Sequence, residues 1–321
     1  MLDFSKRLGD LHIDAATSFE EANLRLEQAG LADGLPMVPP TPERIDAMLA
    51  GWRVKPEMRL AAPLMPSSIH PSVRDIAVNA VLAGCRREYL PVLTAAVAAM
   101  TDPTFDLLGV QATTGSAAPL VVVSGPVAEE LGISGGANCM GQGHRANATI
   151  GRAVRLVLQN LGGSVPGVND MATLGQPGKY GWCFAENQAE SPFPPFHIDA
   201  GFPADSSAVT VMAVTGSLEV VLPANGPAED ARRLGEALRR RRGDSQTMVV
   251  LPPETANVSK TQEWDRRRWQ QAIIEAQDAE SAAEGSLDSI LVMVAGGVGI
   301  KAAVMPGWAA SKAVTRLVKA L

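Results

Sequence analysis

Five short runs of aliphatic and β-branched residues constrain this chain more than any other feature: 120–123 (LVVV), 209–214 (VTVMAV), 218–222 (LEVVL), 248–251 (MVVL) and 291–294 (LVMV). The first is bounded by Pro119 and Gly125 and reads as a buried strand. The runs 209–214 and 218–222, separated only by Thr215-Gly216-Ser217, read as a strand pair. Helical patterns at 228–241 and 261–276 fall between the later runs, the second with Ser259 and Gln262 at capping-box spacing. Strands alternating with helices predict an α/β fold, a mixed sheet with flanking helices.

The N-terminal portion is predicted to be helical. Ser18 and Glu21 have capping-box spacing at the head of a helix that ends before Gly30. Thr41 caps a second helix, with Pro42 at its first position. Val73, Ile76, Ala77 and Ala80 mark a third that stops near Gly84, and Leu90, Leu93, Val97 and Met100 a fourth, so that these two form a helical hairpin. With 30 glycines, 23 prolines and only 4% aromatic residues, tightly shaped loops are expected between the elements. The 321 residues are read as a single α/β domain with a soft division near residue 200.

A net charge of −6 argues against a nucleic-acid partner, which would need a clustered cationic surface. The basic run at 239–242 reads as cations closing a helix. No apolar stretch reaches the ~18 residues of a membrane span, no apolar segment follows the first residues as in a signal peptide, and no membrane partner is expected. Three widely spaced cysteines cannot build a disulfide framework and fit a reducing cytoplasm. A homo-oligomer is expected of an apolar chain of this size.

Two segments collect the residues that carry chemistry. In 135–147 (GGANCMGQGHRAN) a glycine-rich loop leads into a helix whose apolar face is Ile150, Ala153, Val154, Val157, Leu158 and Leu161. Asn147 stands where an N-cap belongs, so the first-turn N–H groups would point at the loop, with His144 and Arg145 beside them. That is an anion site for a carboxylate or phosphate; the plainer reading is an ordinary turn with a salt-bridging Arg145. The spacing is neither that of a P-loop nor of a dinucleotide fingerprint.

The second segment, 176–197, holds Lys179, Tyr180, Cys183, Glu186, Asn187 and His197. In an extended segment Lys179 and Cys183 would share a face, and the ammonium would favour the thiolate, with Glu186 carrying protons. The competing reading buries Cys183 between Trp182 and Phe184. No cysteine or histidine pair has zinc-site spacing, so no cofactor is predicted and a divalent metal has little support.

Several motifs resemble an uncharacterised bacterial family found beside, or fused to, thioredoxin-related UGSC-motif (seleno)protein domains. They include Gly34-Leu35-Pro36 with Val38-Pro39-Pro40-Thr41, and Ala83-Gly84-Cys85 with Glu88-Tyr89. The longest runs from Arg145-Ala146-Asn147-Ala148-Thr149-Ile150-Gly151-Arg152 through Gly178-Lys179-Tyr180, Cys183 and Ala185-Glu186-Asn187 to His197. Ala295-Gly296-Gly297 with Pro306-Gly307-Trp308 looks like its closing motif. The UGSC motif does not occur here, so the resemblance implies the partner module alone, marks positions and names no reaction.

The leading expectation is a small-molecule hydrolase or lyase acting on an anionic, carboxylate-bearing substrate. Cys183 or Cys139 would be the nucleophile, Glu186 or His144 the acid/base, and Arg145, Asn147, Lys179, Tyr180, Asn187 and His197 would hold substrate. The alternatives are a thiol-redox partner of a thioredoxin-like protein, using Cys139 and Cys183, and a ligand-binding module without turnover.

Overall fold

Strand β1 (Ala118–Ser124) lies at the centre of the first of two four-stranded sheets, and its burial on both faces explains its unbroken apolar sequence. The computed structural model of the chain describes residues 4–223, 225–238, 245–277 and 286–319. Before β1 come α1 (Phe4–Gly9), α2 (Phe19–Gln28), α3 (Pro42–Leu49), α4 (Val73–Ala83), α5 (Leu90–Met100) and α6 (Leu107–Ala112), the helical N-terminal portion. After it come α7 (Val127–Glu130), α8 (Arg145–Asn160), β2 (Cys183–Ala185), α9 (Phe196–Asp199), β3 (Ala208–Val214) and β4 (Leu218–Val221). The chain continues through α10 (Pro227–Leu238), β5 (Thr247–Leu251), α11 (Pro253–Gln262), α12 (Arg266–Glu275), β6 (Ile290–Val294), β7 (Lys301–Pro306) and β8 (Val314–Leu317). The protein is thus α/β, with mixed sheets and flanking helices.

The first sheet has the order β2-β1-β3-β8 and the second β4-β7-β5-β6. Each holds one parallel pair, β1 with β2 and β5 with β6, and its other pairings are antiparallel. Alternation along the strands sorts the side chains into three cores. Val121, Val123, Cys183, Val209 and Val211 pack against α4, α5 and α8. Leu120, Val122, Phe184 and Met212 turn the other way and meet Met248, Val250, Met293 and Met305 of the second sheet. Val249, Leu251, Val292 and Val304 face outward again, under Leu234, Trp269 and Ile273. The result is four layers: helices, sheet, sheet, helices.

Two expectations from the sequence change here. The runs 209–214 and 218–222 form no pair with each other. Thr215 instead donates its N–H to Pro306 O at 2.8 Å, and the chain crosses from the first sheet to the second, where β4 pairs with β7. The helix expected over 261–276 is divided, because Glu263 takes a left-handed φ of 55° and ends α11. Asp265, not Ser259, caps the helix that follows by accepting from Arg268 N at 2.7 Å. Ser259 Oγ is occupied with Trp269 Nε1 at 2.8 Å. The caps at Ser18 and Thr41 and the α4–α5 hairpin stand as expected. The basic run at 239–242 lies outside the described residues. Among the described residues no helix is long and apolar enough to cross a membrane.

Candidate functional site

Parallel strands bring their carboxyl ends to one edge of a sheet, and β1, β2 and β6 do so side by side in the two stacked sheets. The glycine-rich loop after α7 threads between these ends. Ala185 donates to Ser134 O at 3.0 Å, Gly296 to Gly135 O at 2.8 Å and Asn187 to Val294 O at 2.8 Å. A Cβ on Gly135 would stand 2.4 Å from Ala185 O, and one on Gly297 would stand 2.7 Å from the Ala137 Cβ. Both glycines therefore leave room for protein packed against them, backbone at Gly135 and the Ala137 methyl at Gly297, and not for a ligand.

Asn147 is the clasp of this loop. The expectation was an N-cap, but the cap position falls three residues earlier, at His144, which makes no side-chain cap bond. The buried Asn147 amide instead accepts from Ser134 N at 2.9 Å and donates to Ser134 O at 2.8 Å and Cys139 O at 2.9 Å. Asn147→Ala strands three main-chain groups, so it is expected to cost about 1–3 kcal/mol in urea unfolding and to speed alkylation of Cys139.

Between the loop, the first two turns of α8 and the segment 180–183 lies a cavity of about 380 Å³, whose walls include Cys139, Asn147, Arg152, Tyr180, Trp182 and Cys183. Residues far apart in sequence meet there because Gly151 on α8 faces Gly181. Arg152 shapes the mouth: it grips Asp33 with two contacts of 2.7 and 2.8 Å and caps the Leu35 and Pro36 carbonyls. Leu35, so held, also lines the cavity.

The three thiols differ. Cys139 lies in the core between the sheets and also borders the cavity. Burial raises its pKa, and the main chain at Gly296, Cys139 and Met140 pulls the other way without overcoming it. Cys183 packs on the helix side of β2, and burial raises its thiol far above the ordinary value, the nearby Cys85 adding to the shift. Burial pushes Cys85 up to about 12. The activation of Cys183 by Lys179 expected from the sequence does not form, because 177–179 makes a tight 3₁₀ turn instead of an extended strand. The Lys179 ammonium goes to Asp170, at 2.6 and 2.7 Å, with Arg155 at 3.6 Å from the same carboxylate.

The other candidates are drawn elsewhere. Glu186 is buried against Arg266 at 3.1 Å and accepts from Phe196 N at 2.8 Å. Burial raises its carboxyl, with Arg266 and Phe196 opposing the shift. Arg266 also pairs with Asp199 and lies over the rings of Phe193 and Phe196, at 5.5 and 5.6 Å. The His197 ring is fully buried, its Nδ1 3.1 Å from Ser124 Oγ, and burial lowers its pKa. Asn187 donates to Gly296 O at 3.2 Å, stitching the sheets together. Arg145 turns away from the cavity and donates to Gly84 O at 3.2 and 2.9 Å.

The cavity therefore gathers Cys139, Cys183, Asn147 and Tyr180 but not Glu186, Lys179, Arg145, Asn187 or His197. Among the described residues no group of three histidine, cysteine or carboxylate side chains is placed to hold a metal. Sequence reasoning missed Arg152 and Arg266, whose partners lie 119 and 80 residues away; neither arginine differs locally from an ordinary surface one.

No family model matches the chain, and no curated protein matches it.

Proposed function

We propose that the protein is a small-molecule enzyme of the hydrolase or lyase type, with its substrate in the 380 Å³ cavity and Cys139 as the attacking thiol. The observation that carries this reading is the position of Cys139, which borders the cavity together with the polar side chains of Asn147, Arg152 and Tyr180. Tyr180 brings an ionisable hydroxyl to the same walls, whereas His144, at the head of α8, is not among the residues that line them.

The thiol-redox alternative has less support. Cys139 packs in the core between the sheets and Cys183 in the helix-side core, so the two thiols are held in different clusters.

Alkylation with iodoacetamide, followed by peptide mass spectrometry, tests the assignment. Cys139 is expected to react first of the three thiols in the folded protein. Because its pKa lies above the ordinary value, its thiolate fraction grows about tenfold per pH unit, so the rate should still be climbing at pH 9. No labelling of Cys139 before unfolding would sink the reading. In a screen of carboxylate-bearing esters, amides and β-substituted acids, Cys139→Ala is expected to abolish turnover and Cys183→Ser to retain it.

A further inference from the structure

On the other side of Gly84 from the cysteine cavity, a separate hollow of about 290 Å³ opens between α3, the α4–α5 turn and the start of α8. Arg44, Arg87 and Arg145 line it, one from each element, and no carboxylate does. Its floor is apolar, made by Val38, Met48 and Val81 among others. Three guanidinium groups around one hollow are a strong local departure in a chain whose net charge is −6.

Two of these arginines are held in place without being neutralised. Arg44 donates one Nη1 bond to Pro39 O at 2.9 Å, and Arg145 donates through Nε and Nη2 to Gly84 O. A guanidinium has five N–H donors, so each keeps donors free for a ligand while its rotamer is already fixed. Arg87 gives its Nε edge to Glu88 at 3.0 Å and keeps both Nη groups. The hollow also sits at the positive end of the 16-residue α8, which adds to the attraction for an anion.

We propose that this hollow binds the phosphoryl group of a small phosphate monoester, with the carbon part of the ligand on Val38, Met48 and Val81. A carboxylate offers two coplanar oxygens and is satisfied by one guanidinium fork. A tetrahedral phosphoryl group presents three terminal oxygens in different directions, as three arginines from three elements require. The volume lies at the lower limit of small-molecule pockets, ~300 Å³, which restricts the ligand to a few carbons. The inference does not depend on the role of Cys139, which borders the other cavity.

Calorimetric titration with inorganic phosphate in a chloride buffer of fixed ionic strength is the test. Saturable binding is expected, weakened about tenfold in Arg44→Gln and in Arg145→Gln through lost charge-assisted hydrogen bonds. Arg145 anchors Gly84, so Arg87→Gln, which breaks only an exposed pair, serves as a second variant and should also weaken binding. Arg86→Gln, just outside the hollow, should bind like the wild type. Propyl phosphate should bind more tightly than inorganic phosphate because of the apolar floor. The proposal is overturned if the double variant Arg44→Gln/Arg87→Gln keeps wild-type affinity, if Arg86→Gln weakens binding equally, or if propyl phosphate gains nothing.

Discussion

Alanine at Glu186 is expected to lower the unfolding free energy by about 3 kcal/mol, the low end of the ~3–5 kcal/mol that removal of one partner costs a buried pair. The Glu186 side chain has no exposure and Arg266 only 6%, so the arginine left behind cannot turn to water. Asp199 still pairs with Arg266 in the variant, which is why the low end applies. Phe196 N also loses its acceptor, loosening the turn that carries His197. Urea unfolding measures the loss, and a value under about 1 kcal/mol would mean that the pair contributes little.

Glu186→Gln separates charge from shape, because it keeps the acceptor for Phe196. Burial raises the Glu186 carboxyl, so the folded protein holds a proton at pH values where the unfolded chain, titrating near ~4.3, has released it. The stability from this group is therefore complete below that pH and is lost as pH rises through the raised folded value. The advantage of wild type over Glu186→Gln should shrink from the acid end upward. His197, lowered by burial, contributes in the opposite sense, its stability being lost as pH falls. The comparison between the two proteins cancels it, since both retain His197.

What could be read from the sequence divides by distance along the chain. Strands and caps depend on neighbours within about four residues, and Leu120–Val123, Ser18 and Thr41 were legible for that reason. Strand pairing is a non-local choice, so the proximity of 209–214 and 218–222 suggested a hairpin where the chain in fact changes sheets. The alternating β7 lacked the apolar signal of the other strands. At the candidate site the sequence and the structure single out the same loop for partly different reasons. Its glycines looked like a ligand cradle, and Gly135 turns out to be a contact between protein backbones. Cys139, Asn147, Tyr180 and Cys183 do share a cavity. Lys179 and Glu186 do not, because buried partners at Asp170 and Arg266 outcompete it, and no local pattern announces a partner 80 residues away.

The second large effect is expected at Gly151, where α8 and the segment before β2 touch backbone to backbone. A Cβ there would lie 2.5 Å from Trp182 N and 2.9 Å from Gly181 C, and one on Gly181 would lie 2.5 Å from Arg152 N. A flexible side chain could yield to such a contact, but main chain on both sides cannot. Gly151→Val is therefore expected to cost about 3 kcal/mol or more, at or above the top of the ~1–3 kcal/mol range for overpacking. The damage should be directional. Moving 181–182 away from α8 displaces Trp182 and Tyr180, which form one wall of the cysteine cavity, while the three-arginine hollow beyond Gly84 involves neither residue. Gly151→Ala, with a single methyl, should show the same pattern at smaller cost. In either variant, at a temperature where it remains folded, Cys139 should alkylate at an altered rate while inorganic phosphate affinity stays at the wild-type value. Equal disturbance of both readouts would mean that α8 moves as a rigid whole and that the two sites are mechanically one.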